Sequence, residues 1–221
     1  MSRSSAARWS LAALVVVVAL IVAIWPRGSD EDTGPTSFAD YRDTFGTTAT
    51  DDATASDLAP LRERADLAAC PQPAPDAAAS GPLAGVRTTC LADGSPVDIG
   101  AAIAGRPTVV NLWAYWCGPC AEELPFMAQY AERAAGAVTV LTVHEDPQQG
   151  NALARLSDYG VRLPGVQDAS ASVAAAVGAP AVLPVTVLVA ADGTVAKVLP
   201  QPFRSVDEIA AAVSDYLGVA A

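Results

Sequence analysis

The chain has 221 residues, of which 52% are hydrophobic and only 17% are charged. This composition excludes a fully disordered, collagen-like or coiled-coil protein and indicates one modest globular domain with an unusually apolar segment. The 13 Lys and Arg residues against 24 Asp and Glu residues give a formal net charge of −11, which argues against a nucleic-acid partner. Four cysteines are too few for a small disulfide-rich scaffold but enough for two pairs.

The N-terminal region contains an apolar run of membrane-inserting character. Residues 11–25 carry no charged side chain, and Trp9 and Trp25 flank the run as interfacial aromatic residues would. Arg3 and Arg8 precede the run and an acidic segment follows it, so the charge bias places the N-terminus in the cytoplasm. A cleaved signal peptide is the alternative, because the 17 residues from Trp9 to Trp25 are short for a span, but no small-residue cleavage site follows.

The domain organisation follows from this orientation. We predict a cytoplasmic stub at residues 1–8, a transmembrane anchor at 9–25 and an acidic extracytoplasmic linker at 26–55. Residues 56–221 are predicted to form a folded domain with an N-terminal extension. The protein is therefore expected in the cell membrane, as a single-pass protein whose C-terminal domain is extracytoplasmic.

Strand and helix signals alternate along the folded domain. Residues 107–114 form an apolar run typical of a buried strand, residues 117–135 have helical periodicity, and residues 138–143 are again strand-like. This order predicts an α/β domain. The further predicted elements are a helix opened by Ser56, a proline-rich loop at 71–82, helices at 152–159 and 170–177, a hairpin of 185–190 with 194–199, and a last helix from a capping box at 205–208 to Leu217.

A Cys-Gly-Pro-Cys motif, residues 117–120, lies where the predicted strand ends and the helix begins. A helix N-terminus stabilises anions, so Cys117 can be held there as a thiolate and act as the attacking sulfur. Cys120, one turn later, is within reach to close a disulfide as the resolving sulfur. The alternatives are a stapled turn or half of a zinc site. Because Cys70 and Cys90 do not have the spacing of a second such motif, we expect no metal.

Residues 109–125, VVNLWAYWCGPCAEELP, resemble the thioredoxin superfamily and, within it, the membrane-anchored TlpA/ResA-like thiol–disulfide oxidoreductases. The markers are Trp116 with the Cys-Gly-Pro-Cys motif, the continuation through Glu123 and Pro125, and Pro184 at the opening of a late strand. The resemblance covers about residues 83–219. It implies a thioredoxin-like fold, with a central mixed sheet flanked by helices behind the transmembrane helix, and an enzyme that needs no cofactor.

The resemblance also implies a substrate-binding surface around the cysteines. Pro184 is expected to be cis and to face the cysteine pair, with the Leu183 backbone pairing with an extended substrate peptide. Trp116, Gly118 and Pro119 are expected to contact the substrate as well. An ordinary trans proline at the start of a strand is the alternative for Pro184, because only about 5–6% of X–Pro bonds are cis.

Glu123 is the candidate proton-transfer residue. It borders the apolar stripe of the predicted helix, so its carboxylate is expected to be partly desolvated with a raised pKa, which suits proton exchange with Cys120. The matching glutamate is an active-site acid in the TlpA/ResA-like enzymes; the alternative is a solvated glutamate placed for the helix dipole. Thioredoxins have a buried aspartate in the first strand where this chain has Asn111, which cannot titrate. The lone histidine, His144, is expected to be an ordinary loop residue.

Cys70 and Cys90 lie outside the motif. In an oxidising compartment they are expected to form a structural disulfide that closes a 21-residue loop. The chain-entropy relation gives such a loop a stabilising contribution of roughly 3 kcal/mol. A second redox pair that relays electrons to Cys117 and Cys120 is the alternative, although neither cysteine starts a predicted helix, where thiolates are stabilised.

These features predict an enzyme that exchanges disulfides with extracytoplasmic protein thiols and disulfides. The Gly-Pro pair between the cysteines is typical of the reducing end of the family, so we expect a reductase supplied by a membrane electron donor. The haem-attachment cysteines of cytochrome c are one substrate class of some relatives. A DsbE-like disulfide oxidase with a membrane electron acceptor is the alternative. A copper-handling binding protein fits less well, because its family uses a longer cysteine spacing and a distal histidine.

Overall fold

The computed structural model describes residues 55–74 and 78–220. The predicted cytoplasmic stub, the anchor at 9–25 and the linker up to residue 54 lie outside these residues. No helix within the two described ranges is long and apolar enough to cross a membrane.

The described residues form six helices and seven strands. The helices are α1 (Ala55–Ala65), α2 (Ile99–Ile103), α3 (Gly118–Ala134), α4 (Gln149–Asp158), α5 (Ser172–Val177) and α6 (Val206–Leu217). The strands are β1 (Arg87–Cys90), β2 (Pro96–Asp98), β3 (Thr108–Trp113), β4 (Thr139–His144), β5 (Gly165–Gln167), β6 (Val185–Val189) and β7 (Val195–Leu199).

The strands form one mixed sheet in the order β2-β1-β5-β4-β3-β6-β7. The central strands β3, β4 and β5 are parallel, and the remaining pairings are antiparallel. The parallel register aligns Trp113, His144 and Gln167, the last residues of these three strands, along one edge of the sheet. In α/β folds this edge, at the carboxyl ends of the strands, is where functional sites gather.

Helices cover both faces of the sheet, and each face has its own hydrophobic cluster. The face under α1, α3, α4 and α6 receives Val109 and Trp113 from β3, whereas the face under α2 and α5 receives Val110 and Leu112. Successive strand residues point to opposite faces, so a strand covered on both sides is apolar throughout, as β3 is. The mixed sheet between helices is the predicted fold.

The predicted helices and strands of the folded domain are confirmed, including the helices expected at 152–159 and 170–177, but four short elements were missed. The strand expected at 107–114 is β3, the helix expected at 117–135 is α3, and the hairpin is β6 with β7. The sequence did not predict β1, β2, α2 or β5, which have only three to five residues each. The expected capping box is half formed. The Ser205 hydroxyl accepts from the Glu208 N–H, but the Glu208 carboxylate accepts from the Arg204 N–H rather than from Ser205.

Candidate active site

The cysteine pair lies at the start of α3. Cys117 is the N-cap residue, and its Sγ accepts a hydrogen bond of 3.2 Å from the Cys120 N–H. Pro119 lies in the first turn, where a missing N–H removes no intrahelical hydrogen bond. Cys117 and Cys120 are joined in a disulfide with their Cα atoms 5.3 Å apart. Cys117 is 6% exposed and Cys120 is 0% exposed, so of this pair Cys117 is the residue that an incoming group can approach.

An exposed surface surrounds this reachable sulfur. Trp116 is 47% exposed, and the neighbouring Gly118 and Pro119 are exposed as well. The Trp116 indole Nε1–H donates to Asp146 Oδ2 at 2.9 Å, and Asp146 Oδ1 accepts from the Gln148 N–H at 2.8 Å. The aromatic ring beside Cys117 is therefore held by the loop that follows β4.

The Glu123 carboxylate is fully buried one turn after Cys120. Its Oε1 accepts from the Phe203 N–H at 2.8 Å, and its Oε2 accepts from Asn111 Nδ2 at 2.7 Å. Burial raises the pKa of Glu123 from 4.5 to about 7, although the hydrogen bonds from Phe203 and then Asn111 lower it. The expected raised pKa is confirmed, and the alternative of a solvated first-turn glutamate is wrong. Near neutral pH this buried group holds or releases a proton with little cost.

The Leu183–Pro184 peptide bond is cis, as the resemblance implies, and the trans alternative is wrong. Pro184 is buried immediately before β6. Val185 pairs with Leu112 in the antiparallel register, so Pro184 lies beside the end of β3, from which the chain continues to Cys117. The fold thus brings the late proline to the same end of the sheet as the cysteine pair.

Known proteins are similar to this chain in sequence and in fold. Residues 71–213 match the Redoxin family, which is more than half of the chain. The chain belongs to the redoxin family. The thiol-disulfide oxidoreductase ResA of Bacillus subtilis is 32% identical over 98 residues, which cover 44% of this redoxin and 54% of ResA. This redoxin spans about half the length of the first curated relatives it matches.

Two solved structures share the fold with this redoxin. A secreted Mycobacterium tuberculosis disulfide oxidoreductase homologous to E. coli DsbE is 28% identical, with a TM-score of 0.51, over 58% of this chain and 94% of that one. DsbF of M. tuberculosis, solved in mixed oxidised and reduced forms, is 26% identical, with a TM-score of 0.56, over 63% and 99% of the two chains. With the family match, these likenesses identify the described domain as a thiol–disulfide oxidoreductase domain of the thioredoxin-like type.

His144 has a structural part in this redoxin that sequence reasoning missed. It was expected in a loop, but it is the fully buried last residue of β4. Its Nε2 lies 3.3 Å from the Tyr115 N–H, an obligate donor, so the ring hydrogen is assigned to Nδ1, which donates to Gln167 Oε1 at 2.9 Å. Gln167 Nε2 in turn donates to the Asp146 carbonyl oxygen. The histidine therefore ties the backbone just before Cys117 to the ends of β4 and β5.

The second cysteine pair lies on the other face of the sheet. Cys70 and Cys90 form a disulfide with their Cα atoms 5.9 Å apart, and both are buried in the cluster under α2 and α5. The Sγ of Cys70 lies 3.2 Å from the Gly165 carbonyl oxygen. Cys117 and Cys120 belong to the cluster under α3, so the sheet separates the two disulfides. Among the described residues, no three His, Cys, Asp or Glu side chains are grouped so that they could hold a metal ion.

Proposed function

We propose that this redoxin exchanges disulfides with extracytoplasmic protein substrates through Cys117 and Cys120 and that it works as a reductase. One observation carries the proposal: the two sulfurs at the start of α3 are unequal. Cys117 is the reachable sulfur, while Cys120 is fully buried and is followed one turn later by a buried acid that titrates near neutral pH. This is the asymmetry that an attacking sulfur and a resolving sulfur need.

The first step is attack by the Cys117 thiolate on a substrate disulfide. The Cys120 N–H points at Cys117 Sγ, and the free N–H groups of the first helical turn stabilise negative charge there. Attack forms a mixed disulfide between Cys117 and the substrate and releases one substrate thiolate. We assign the surrounding Trp116, Gly118, Pro119, Leu183 and Pro184 to the surface that binds the substrate peptide, as the resemblance implies.

The second step is resolution by Cys120. The Cys120 thiol passes its proton to the Glu123 carboxylate, and the resulting thiolate attacks the sulfur of Cys117. The Cys117–Cys120 disulfide forms, the second substrate thiolate leaves, and two electrons have moved from the enzyme to the substrate. A pKa of about 7 lets Glu123 accept this proton and release it again near neutral pH.

The surroundings of the sulfurs support the reducing direction. Strong oxidants of this fold owe their potential to a stabilised reduced thiolate. Residues 114–125 contain no Lys, Arg or His, and the charged residues of this segment are the acids Glu122 and Glu123. The reduced state therefore lacks a cationic partner from its own segment, which favours a low potential. A membrane electron donor would then return the enzyme to its dithiol form, and cytochrome c haem-attachment cysteines are one substrate class it would serve.

The opposite direction is the second candidate function. The likeness to a secreted disulfide oxidoreductase homologous to DsbE favours an oxidase. Exchange through the same two sulfurs can also run in this direction, from the enzyme disulfide to substrate thiols. In that direction a membrane acceptor would reoxidise the pair. The midpoint potential of the Cys117–Cys120 pair distinguishes the two: a value near that of thioredoxin, about −270 mV, supports a reductase, and one near that of DsbA, about −120 mV, supports an oxidase.

The extracytoplasmic location is part of the proposal and rests on the apolar run at residues 9–25. The full-length chain is expected to sediment with membranes, to remain there after an alkaline carbonate wash, and to expose its C-terminal domain to protease added from outside. Recovery of the chain in the soluble fraction without residues 1–25 would contradict the anchor and support a cleaved signal peptide.

A trapping experiment tests the exchange itself. In Cys120→Ser the first step proceeds and the second cannot, so the variant should accumulate mixed disulfides with protein substrates through Cys117. The matched control is Cys117→Ser, which keeps the buried sulfur but loses the reachable one. Equal trapping by both variants, or by neither, would overturn the proposed function.

A further inference from the structure

The side-chain amide of Asn111 occupies a position that the exchange steps above do not use. Asn111 lies in the middle of β3, fully buried, in a row with Thr142 on β4 and Thr186 on β6. Its Nδ2 donates to Glu123 Oε2 at 2.7 Å and lies 3.4 Å from Thr186 Oγ1. Its Oδ1 has no hydrogen-bond partner among the described residues. A buried acceptor without a partner is rare in folded proteins and calls for an explanation.

The hydrogen bonds of Glu123 determine where its proton goes. Oε1 faces the Phe203 N–H, which can only donate, so the acid form of Glu123 must carry its hydrogen on Oε2. That hydrogen then points at Asn111 Nδ2, which is also a donor. The amide orientation seen here therefore suits only the ionised carboxylate. Half a turn of the amide exchanges Nδ2 for Oδ1 and gives the acid form an acceptor.

We propose that Asn111 is a positioning residue whose side-chain amide turns over each time Glu123 gains or loses its proton. With Glu123 ionised, Nδ2 donates to the carboxylate and Oδ1 is left without a partner. With Glu123 protonated, Oδ1 accepts from the carboxylic acid and Nδ2 is left without one. Thr186 can follow either orientation, because a hydroxyl both accepts and donates. The value of the turnover to catalysis rests on the proposed function, in which Glu123 exchanges a proton with Cys120.

This arrangement lets Glu123 adopt both its protonated and its ionised form. Each amide orientation leaves one buried atom unpartnered but gives Glu123 one hydrogen bond in either protonation state, and the bond to the ionised carboxylate is the stronger of the two because it involves a charge. The pKa of Glu123 is set by burial and by its bonds to Phe203 and Asn111. Its hydrogen-bond partners are the uncharged Asn111, which lies next to Thr186 on β6, and the Phe203 N–H, whose neighbour Arg204 is exposed. Cys120, one turn before Glu123 on the same helix, is held in the disulfide. A second acid at position 111 would instead share one proton with Glu123.

Nuclear magnetic resonance of the full-length oxidised chain tests whether the Asn111 amide responds to the proton on Glu123. Between pH 5 and 9, the carboxyl carbon of Glu123 and the side-chain NH2 signals of Asn111 are expected to change with one common midpoint. In Glu123→Gln the Asn111 signals should no longer depend on pH. Asn111 signals that stay constant while Glu123 titrates would overturn the inference, and this measurement needs no variant at position 111.

The variant Asn111→Leu adds a second test at nearly constant side-chain shape. Leucine can bond neither form of Glu123, and the bond lost from the ionised carboxylate is the stronger of the two, so the Glu123 midpoint should rise by about one pH unit. The matched control is Thr142→Val, which removes a buried hydroxyl in register with Asn111 that donates to the Pro164 carbonyl oxygen instead. Its Glu123 midpoint should not move. Equal midpoints in the wild type and Asn111→Leu would contradict the role of Asn111.

The two proposals fail in different ways. If Asn111 and Glu123 titrate together but Cys117 traps no substrate, the proposed function is lost and the coupling remains. If Cys117 traps substrates while the Asn111 amide is static across the Glu123 titration, the exchange function stands and this inference is wrong.

Discussion

The two disulfides of this redoxin are nearly equally buried, yet one of them has a sulfur facing a backbone N–H group and the other has a sulfur facing a backbone carbonyl oxygen. Cys117 is 6% exposed and Cys70 is 4% exposed, so burial alone does not separate them. The Sγ of Cys117 faces the Cys120 N–H at the start of a helix, whereas the Sγ of Cys70 lies 3.2 Å from the Gly165 carbonyl oxygen. An N–H group stabilises a thiolate, and a carbonyl oxygen repels one.

This difference assigns the two pairs to different tasks. Opening the Cys117–Cys120 disulfide yields a thiolate that the N–H groups at the helix start stabilise. A thiolate at Cys70 would instead be repelled by the lone pairs of the Gly165 carbonyl oxygen. The chain separations point the same way, since the first pair spans 3 residues and the second spans 20. A longer closed loop constrains the unfolded chain more strongly. We therefore expect Cys117–Cys120 to react and Cys70–Cys90 to stabilise.

Removal of the reachable sulfur should produce the largest effect. Cys117→Ser is expected to lower the rate of protein disulfide reduction by at least roughly 10³-fold, because no other sulfur can start the exchange. The rate is measured with a protein disulfide substrate and a thiol reductant. Activity that survives in Cys117→Ser but vanishes when Cys70 and Cys90 are both replaced by alanine would show that Cys70–Cys90, not Cys117–Cys120, is the reactive pair.

Removal of the second disulfide should affect stability and leave exchange intact. The double variant Cys70→Ala with Cys90→Ala is expected to lose roughly 3 kcal/mol of unfolding free energy by the chain-entropy relation. Denaturant unfolding gives the loss, and the exchange rate measured alongside should stay within about twofold of the wild type. Unchanged stability, or a parallel loss of exchange, would show that this pair is not a structural one.

The buried acid beside the reactive pair makes stability depend on pH. The folded pKa of Glu123 is raised from 4.5 to about 7, so between these values the folded chain holds a proton that the unfolded chain has released. The stabilising contribution is fully present below about pH 4.5 and is lost as pH rises through about 7, a change of about 3 kcal/mol.

The variant Glu123→Gln isolates this contribution, because glutamine does not titrate. The difference in unfolding free energy between the wild type and Glu123→Gln, in the oxidised form, should shift in favour of the variant between pH 5 and 8. The exchange rate of Glu123→Gln should also be slower or lose its inflection near neutral pH. The same pH dependence of unfolding in both proteins, together with an unchanged rate profile, would contradict both the raised pKa of Glu123 and its role in proton transfer.

The smallest effect concerns the exposed surface that only the reactive pair has. The hydrogen bond from Trp116 to Asp146 holds the indole beside Cys117. Trp116→Phe, Asp146→Ala and the double variant form a cycle in which the coupling on KM for a protein substrate should be roughly 0.5–1 kcal/mol. The kcat values of Asp146→Ala and the wild type should agree. Strictly additive effects on KM would mean that the bond does not orient the ring for substrate.

The sequence predicted the parts of this redoxin whose signals are long or local. The apolar run of β3, the periodicity of α3 and the cysteine motif between them are contiguous in the chain. The burial of Glu123 followed from its place beside the apolar stripe of the same helix. The cis bond before Pro184 followed only from resemblance to a family, since the residues themselves favoured a trans proline.

The parts that could not be predicted depend on strand register and distant contacts. His144 meets Tyr115 and Gln167 only because three parallel strands end together at one edge of the sheet. The Phe203 N–H reaches Glu123 from a position 80 residues away in the chain. Short strands such as β1 and β5 carry too few residues for a period to show, and they form because neighbouring strands supply their hydrogen bonds.

The most direct test of the contrast between the disulfides is one equilibrium titration of the full-length chain in glutathione redox buffers. Alkylation of free thiols followed by mass spectrometry reports each pair separately. We predict that Cys117–Cys120 is half reduced near the potential of thioredoxin, about −270 mV. Cys70–Cys90 should still be oxidised there, because structural disulfides have midpoint potentials below about −300 mV. Reduction of both pairs at one potential, or of Cys70–Cys90 first, would contradict the account.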